Sequence, residues 1–293
     1  MRKLILGVAG SLGFYAASSV LEPALAQTDA KPAPDKSQYW LLNPVPDNLM
    51  RSFSTDRPTK SNVPYTVDAG HFQYEMDLFN FAYMKTGTVR TSTWLVPNPM
   101  LKVGLTNNID LEVNLAPFAS VHSFDLATGI SSTIRGSSDL FARMKINLWG
   151  NDGGTSAFAL IPYVKAPTAP VGIGNGATEG GVIAPLSFSL PNDFTLLFNS
   201  EVDALKDSTG SGYHANFINL VNLSRPIVKD VTLYVELWSD VNNDPTAKVT
   251  QYSLDTALAW TVKPNFQVDV GANFGLNRET PAVQVYIGAA QRF

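Results

Sequence analysis

The chain has 293 residues, of which 45% are hydrophobic, 16% charged and 11% aromatic, with a formal charge of −4 and no cysteine. That content excludes a disordered tail, and the missing thiol excludes disulfides, thiolate metal sites and cysteine nucleophiles. A mildly acidic balance without a basic block excludes a nucleic-acid backbone as partner.

At the N-terminus, Arg2 and Lys3 precede an apolar run from Leu4 to Val20, and Ala24-Leu25-Ala26 stands before Gln27. A charged start, an apolar run and a small-x-small exit predict a secretory signal peptide over residues 1–26; a membrane anchor is the alternative. No other stretch approaches the ~20 apolar residues that a spanning helix needs. Residues 27–69 are rich in proline and polar residues. They predict an irregular, plug-like periplasmic extension without a core of its own.

From Gly70 the pattern changes to period two. Phe72, Tyr74, Met76 and Leu78 alternate with Gln73, Glu75 and Asp77. Ile109, Leu111, Val113 and Leu115 alternate with Asp110, Glu112 and Asn114. The same rhythm returns through residues 139–148, 194–203, 252–262, 266–274 and 283–293. About twelve strands are predicted, near 70–84, 90–105, 109–118, 138–149, 155–165, 179–190, 194–205, 213–224, 231–240, 249–262, 266–276 and 283–293. Pro97 and Pro99 interrupt the second, since proline disfavours interior strand positions. Tight turns such as "TNN" (106–108) and "PND" (191–193) alternate with longer Gly/Ser/Thr-rich loops. The longest such loop is read at 119–137. This is the rhythm of an up-and-down antiparallel meander.

Alternation alone leaves open which solvent meets the apolar face. A soluble all-β periplasmic protein would bury it in a core; a transmembrane barrel would turn it to lipid. Four features favour the barrel. The strands approach the ~10 residues that a tilted strand needs to cross a bilayer, whereas soluble strands peak near five or six. The apolar faces carry almost no ionised group, as hydrocarbon requires at roughly 2–4 kcal/mol per misplaced basic side chain. Aromatics (Phe72, Phe194, Trp260, Phe266 and Phe293) gather at the tight-turn ends of those faces, as an interfacial girdle does. The chain also stops within a strand, on Phe293. The expected fold is therefore all-β, a transmembrane up-and-down antiparallel barrel over residues 70–293. Its sheet must close, because every backbone amide in lipid needs a partner.

The stretch "FSTDRPTKSNVPYTVDAGHFQYEMD" (53–77) resembles a family of Gram-negative outer-membrane barrels labelled "transporter" or MetA-pathway of phenol degradation. "LKVGLTNNIDLEV", "GSGYHANFINLVNLSRPI" and "VDVGANFGLNRETPAVQVYIGAAQRF" resemble it too, and the likeness extends over residues 53–293. The resemblance implies an outer-membrane channel that admits small molecules, aromatic or hydrophobic ones among them. It implies no catalytic residue and no cofactor.

Parity places Glu75, Asp77, Asp110, Glu112, Glu201, Asp203, Glu236, Asp255 and Asp269 on the lumen side, with Arg143, Lys145, Lys165 and Arg292 as counter-charges. Such a lining either biases a pore toward cations or pairs across a narrow lumen. Asp56, Arg57 and Pro58 are read as plug or entrance residues. The partners expected are outer-membrane lipid and a small solute; metal and cofactor sites are read as none. A barrel with a lipid-hydrolase or adhesive role in its loops is the alternative. It must draw on His71, His122 or His214, each needing an adjacent serine. "GIGNGA" (172–177) has dinucleotide-loop spacing but no following helix. "DVNND" (240–244) begins like a calcium loop but meets Pro245 where glycine is needed.

Overall fold

The computed structural model describes residues 34–293, so the expected signal peptide lies outside the described residues. Fifteen strands follow in chain order: β1 (Phe72–Thr86), β2 (Val89–Leu95), β3 (Asn98–Thr106), β4 (Ile109–Asn114), β5 (Ala119–Asp125), β6 (Ser131–Gly136), β7 (Leu140–Trp149), β8 (Ser156–Ala166), β9 (Glu179–Ser189), β10 (Thr195–Lys206), β11 (Tyr213–Val228), β12 (Val231–Asn242), β13 (Val249–Lys263), β14 (Phe266–Gly275) and β15 (Val283–Arg292). All pairings between them are antiparallel, and β15 returns to pair with β1. The sheet therefore closes, and the barrel has twelve staves. Closure leaves no open edge in the hydrocarbon, which is what lipid demands.

Three staves are built from two strands each, which is where the expectation needs correction. The stretch expected as one strand at 90–105 is β2 followed by β3. The break falls at Val96-Pro97, where proline offers no N–H to the ladder. Both halves pair with β1, Asn80–Thr86 against β2 and Phe72–Asp77 against β3. Residues 119–137, read as a long loop, instead contain β5 and β6, a hairpin that continues the sheet beyond β2. Their Ser/Thr/Gly content masks the alternation, and pairing to β2 imposes the strand. The free side of β6 is packed by the 167–178 connection. A Cβ on Gly136 would meet Pro170 Cγ at 2.5 Å, and one on Gly172 would meet Ile134 Cδ1 at 2.2 Å.

The barrel is inside out relative to a soluble protein. In β4, Leu111 and Val113 are 40% and 43% exposed while Asp110 and Glu112 are fully buried. Outward positions elsewhere, such as Leu148, Phe198, Leu254 and Leu258, also stand exposed. That surface is the lipid face. Phe72, Trp260 and Phe293 are exposed at the tight-turn rim, where aromatic rings sit at headgroup level. Among the described residues no helix is long and apolar enough to cross a membrane; the crossing is made by strands.

Candidate functional site

The lumen is occupied by the chain's own N-terminal segment. Residues 51–68 leave the tight-turn end, enter the barrel and return, so the two ends of the loop meet. The Arg51 N–H donates to Asp68 Oδ2 (3.1 Å) and its guanidinium to the Thr66 carbonyl (2.8 Å). Across the neck, Val63 N donates to Asp56 Oδ1 at 2.7 Å. The excursion is thus tied at its ends and across its neck by hydrogen bonds within the segment.

Wall and loop grip one another through charge. Lys145 Nζ reaches both Asp56 oxygens at 2.9 Å, and Lys102 donates to the same carboxylate. Lys102 also pairs with Glu75 at 2.6 Å, and Lys145 with Glu112 at 3.2 Å. Register explains this cluster: Lys102 stands opposite Glu112, and Asp110 opposite Lys145, on adjoining strands. Asp110 accepts Val67 N at 2.8 Å. Burial raises the Asp56 pKa, but the two lysines more than offset it and hold the carboxyl well below its usual 3.8. For Arg57, burial opposes the charge, yet Asp269 and Asp77 raise its pKa above the ordinary value.

The loop tip is held on the opposite wall. Arg57 makes a fork on Asp269, Nε at 3.1 Å and Nη2 at 2.5 Å, and also pairs with Asp77. A fork of this kind fixes direction as well as charge. Gly288 is what lets the guanidinium approach, since a Cβ there would meet Nη2 at 2.0 Å. Lys60 Nζ lies 2.9 Å from Asp255 and 4.2 Å from the Trp238 ring centroid. Lys60 N and Ser61 N both donate to Glu236. Asn62 and Asn199 exchange two bonds, at 2.8 and 3.0 Å. At the root, Asp68 gathers Lys36 and Arg292, each at 3.2 Å, while Lys36 and Arg51 also reach Asp152.

The sequence-derived lumen residues thus divide. Glu75, Asp77, Asp110, Glu112, Lys145, Glu236, Asp255, Asp269 and Arg292 surround the loop, and Asp56 and Arg57 are on it, with Pro58 at its tip. Glu201, Asp203, Arg143 and Lys165 lie toward the long-loop mouth. There Asp203 accepts Tyr163 OH (2.7 Å) and Asn216 Nδ2 (3.1 Å). Lys165 pairs with Glu179 (2.6 Å) and Asp139 (3.2 Å). Arg143 lies 5.8 and 5.9 Å from the ring centroids of Phe141 and Tyr163, and makes no ion pair among the described residues. Sequence reasoning missed Lys102, Lys60, Asn62, Asn199 and Asp68. Lys102 had a local signal, since it alternates with Leu101 and Val103, but the flanking prolines obscured the strand. The partners that fix the others lie 17 to 224 positions away, and no local pattern encodes such partners.

The loop tip separates two cavities. One of about 390 Å³ opens toward the long-loop side, and its lining includes Arg57–Asn62, Arg143, Glu201, Trp238 and Tyr286. One of about 340 Å³ lies on the tight-turn side, lined by Phe53–Arg57, Leu197, Asn222, Tyr234 and Gln267 among others. Asp56, Arg57, Thr59 and Ser61 border both.

Among the described residues, none of the three histidines is bonded to a serine hydroxyl. His71 Nδ1 and Nε2 lie 2.8 and 2.7 Å from the carbonyl oxygens of Phe293 and Val45. His122 is bonded to Thr133 and His214 to Asp207. The 172–177 stretch runs as a connection without a helix, and Asp244 is taken up by the backbone N–H groups of Ser208, Thr246 and Ala247.

Comparison with known proteins fits this architecture. The chain is similar to the COG4313 outer membrane channel from Pseudomonas putida F1, with TM-score 0.58, 12% identity, 76% of this chain and 95% of that one covered. The NanC porin aligns with TM-score 0.45 and 12% identity over 74% of this chain and 98% of its own. The KdgM porin, solved with disordered oligogalacturonate, aligns with TM-score 0.45 and 8% identity over 76% and 99%. None of the curated proteins compared matches the chain in sequence. A family profile matches residues 55–293, from Thr55 in the loop to Phe293. The chain belongs to the family described as "Putative MetA-pathway of phenol degradation", and its fold is that of an outer-membrane β-barrel.

Proposed function

We propose that the protein is a passive outer-membrane channel for small organic molecules, with the 51–68 loop as its gate. The observation that carries this reading is a closed barrel with a cavity on either side of that loop tip, both bordered by Asp56, Arg57, Thr59 and Ser61. Small solutes with an apolar or aromatic body suit the outer cavity, where Ile183, Ile218, Leu220 and Trp238 face the same space as Asn80, Asn98 and Asn273. The family description points to the same solute class. The solute's own gradient drives passage, and the reading assigns no catalytic step and no cofactor.

The test is conductance across a planar bilayer. Replacing residues 52–67 with a short Gly-Ser bridge should raise the current several-fold, and no current in either protein sinks the channel reading. Loss of the loop strips partners from many wall charges, so a milder variant is needed as well. The chain has no cysteine, so Asn62→Cys with Asn199→Cys places a single reversible clamp at the loop tip. The oxidised pair should be silent and regain current with reductant; equal currents in both states would remove the loop from gating.

A further inference from the structure

The root of the loop carries an apolar feature that the lumen does not use. Trp40 and Asn43 exchange backbone bonds, N to O at 3.0 Å and 2.8 Å, so Leu41 and Leu42 form the tip of a tight turn. Such positions ordinarily hold Gly, Asn, Asp or Pro, for conformational reasons that leucine does not share. Trp40, Leu41 and Leu42 are 49%, 37% and 75% exposed. The turn is fastened to the tight-turn rim of the barrel, where Leu41 N donates to the Leu105 carbonyl (2.9 Å) and Trp40 bridges Thr106. Behind it, Val45 O lies 2.7 Å from His71 Nε2, and His71 Nδ1 lies 2.8 Å from the Phe293 carbonyl. The turn is therefore continuous with Phe72 and Phe293, the exposed aromatics of the rim.

We propose that Trp40-Leu41-Leu42 is an interfacial anchor that seats in the periplasmic leaflet of the outer membrane. The occupant of this apolar tip is lipid, because the tip extends a rim that already faces lipid, and a Trp beside leucines suits the headgroup boundary. The chemistry separates two parts of the extension. Residues 36–50 are held at the rim by lipid and by Lys36, whereas residues 52–67 are held inside by ion pairs. The loop can then leave the lumen while its root stays fixed. The anchor itself stands whether or not the barrel conducts.

The test uses the full chain in nanodiscs, with Trp40 fluorescence read as wild type minus Trp40→Phe. Lipids brominated near the headgroup end of the acyl chain should quench this difference signal by at least half, with iodide in the buffer having little effect. Strong iodide quenching with little effect of brominated lipid would place the tip in water and overturn the proposal. Absence of both would place it under protein and overturn it equally. As a second reading, Leu41→Ser with Leu42→Ser should shift the Trp40 signal toward iodide accessibility while the heat-modified gel mobility of the barrel stays unchanged. A Trp40 signal indifferent to that change would also count against the anchor.

Discussion

The two halves of the lumen are lined by the same residue types but use them differently. Toward the tight-turn end, Lys102, Lys145, Glu75, Glu112 and Asp269 are buried and committed to one another or to the loop. Toward the long-loop end, Glu201 and Arg143 border open space and make no ion pair among the described residues, although a neighbour at the same level, Lys165, is paired twice. The difference lies in what stands opposite. A charge facing a loop is dehydrated and must be matched, since breaking such a pair leaves an uncompensated charge. A charge facing a wet cavity keeps water and can act on a passing solute. Alternation assigns both sets to one face and does not separate their roles.

The sharpest way to break this comparison is Arg57→Met, which leaves Asp77 and Asp269 without their cation. Removing one member of a buried pair costs about 3–5 kcal/mol. Undocking the loop should release that strain, raise the bilayer current several-fold and expose residues 52–67 to protease. Adding Asp77→Asn and Asp269→Asn should restore protection; a loop that stays protected in Arg57→Met alone would show that charge is not its clasp. Lys60→Met acts on a side chain that is 27% exposed. Screening reduces its effect to about 1 kcal/mol, seen as a smaller rise in the same current.

Ion selectivity separates the halves directly. Glu201→Gln should shift the reversal potential in a salt gradient toward anions, because Glu201 faces the outer cavity. Asp110→Asn with Glu112→Gln should loosen the loop and leave selectivity nearly unchanged while the loop is docked. The reverse pattern would put the filter at the buried cluster.

The smallest effect is the pH dependence of Asp56. Its folded pKa is depressed, with burial raising it and Lys102 and Lys145 prevailing. A lowered carboxylate contributes stability that is full above its unfolded value and is lost as pH falls through the folded one. The difference in loop protection between wild type and Asp56→Asn should therefore stay constant from pH 8 to about pH 4 and shrink only below that. A difference that fades near neutrality would mean that the lysines do not hold the charge.

Some of this was legible residue by residue. At 109–113 the period-two pattern separates Leu111 and Val113 from Asp110 and Glu112 without any partner in view, because the side a strand residue takes is a local property. Pro97 likewise predicts trouble in its stave. By contrast, β5 and β6 carry no alternation to read, and Lys102 was hidden behind Pro97 and Pro99. The bonds of Lys60 to Ser253 and Asn62 to Asn199 were beyond reach, since residues 193 and 137 positions apart meet only after the sheet has closed.

The amino-acid sequence by itself determined a membrane-crossing strand meander, its inner and outer faces and a polar leader ahead of it. These follow from side-chain alternation and from turn chemistry, which act over a few residues. The tertiary structure alone decided that the leader turns back into the barrel and takes up most of the wall charges. A carboxylate is the same group on any inward strand position, and its role is set by whether a distant cation or open water faces it once the barrel is complete.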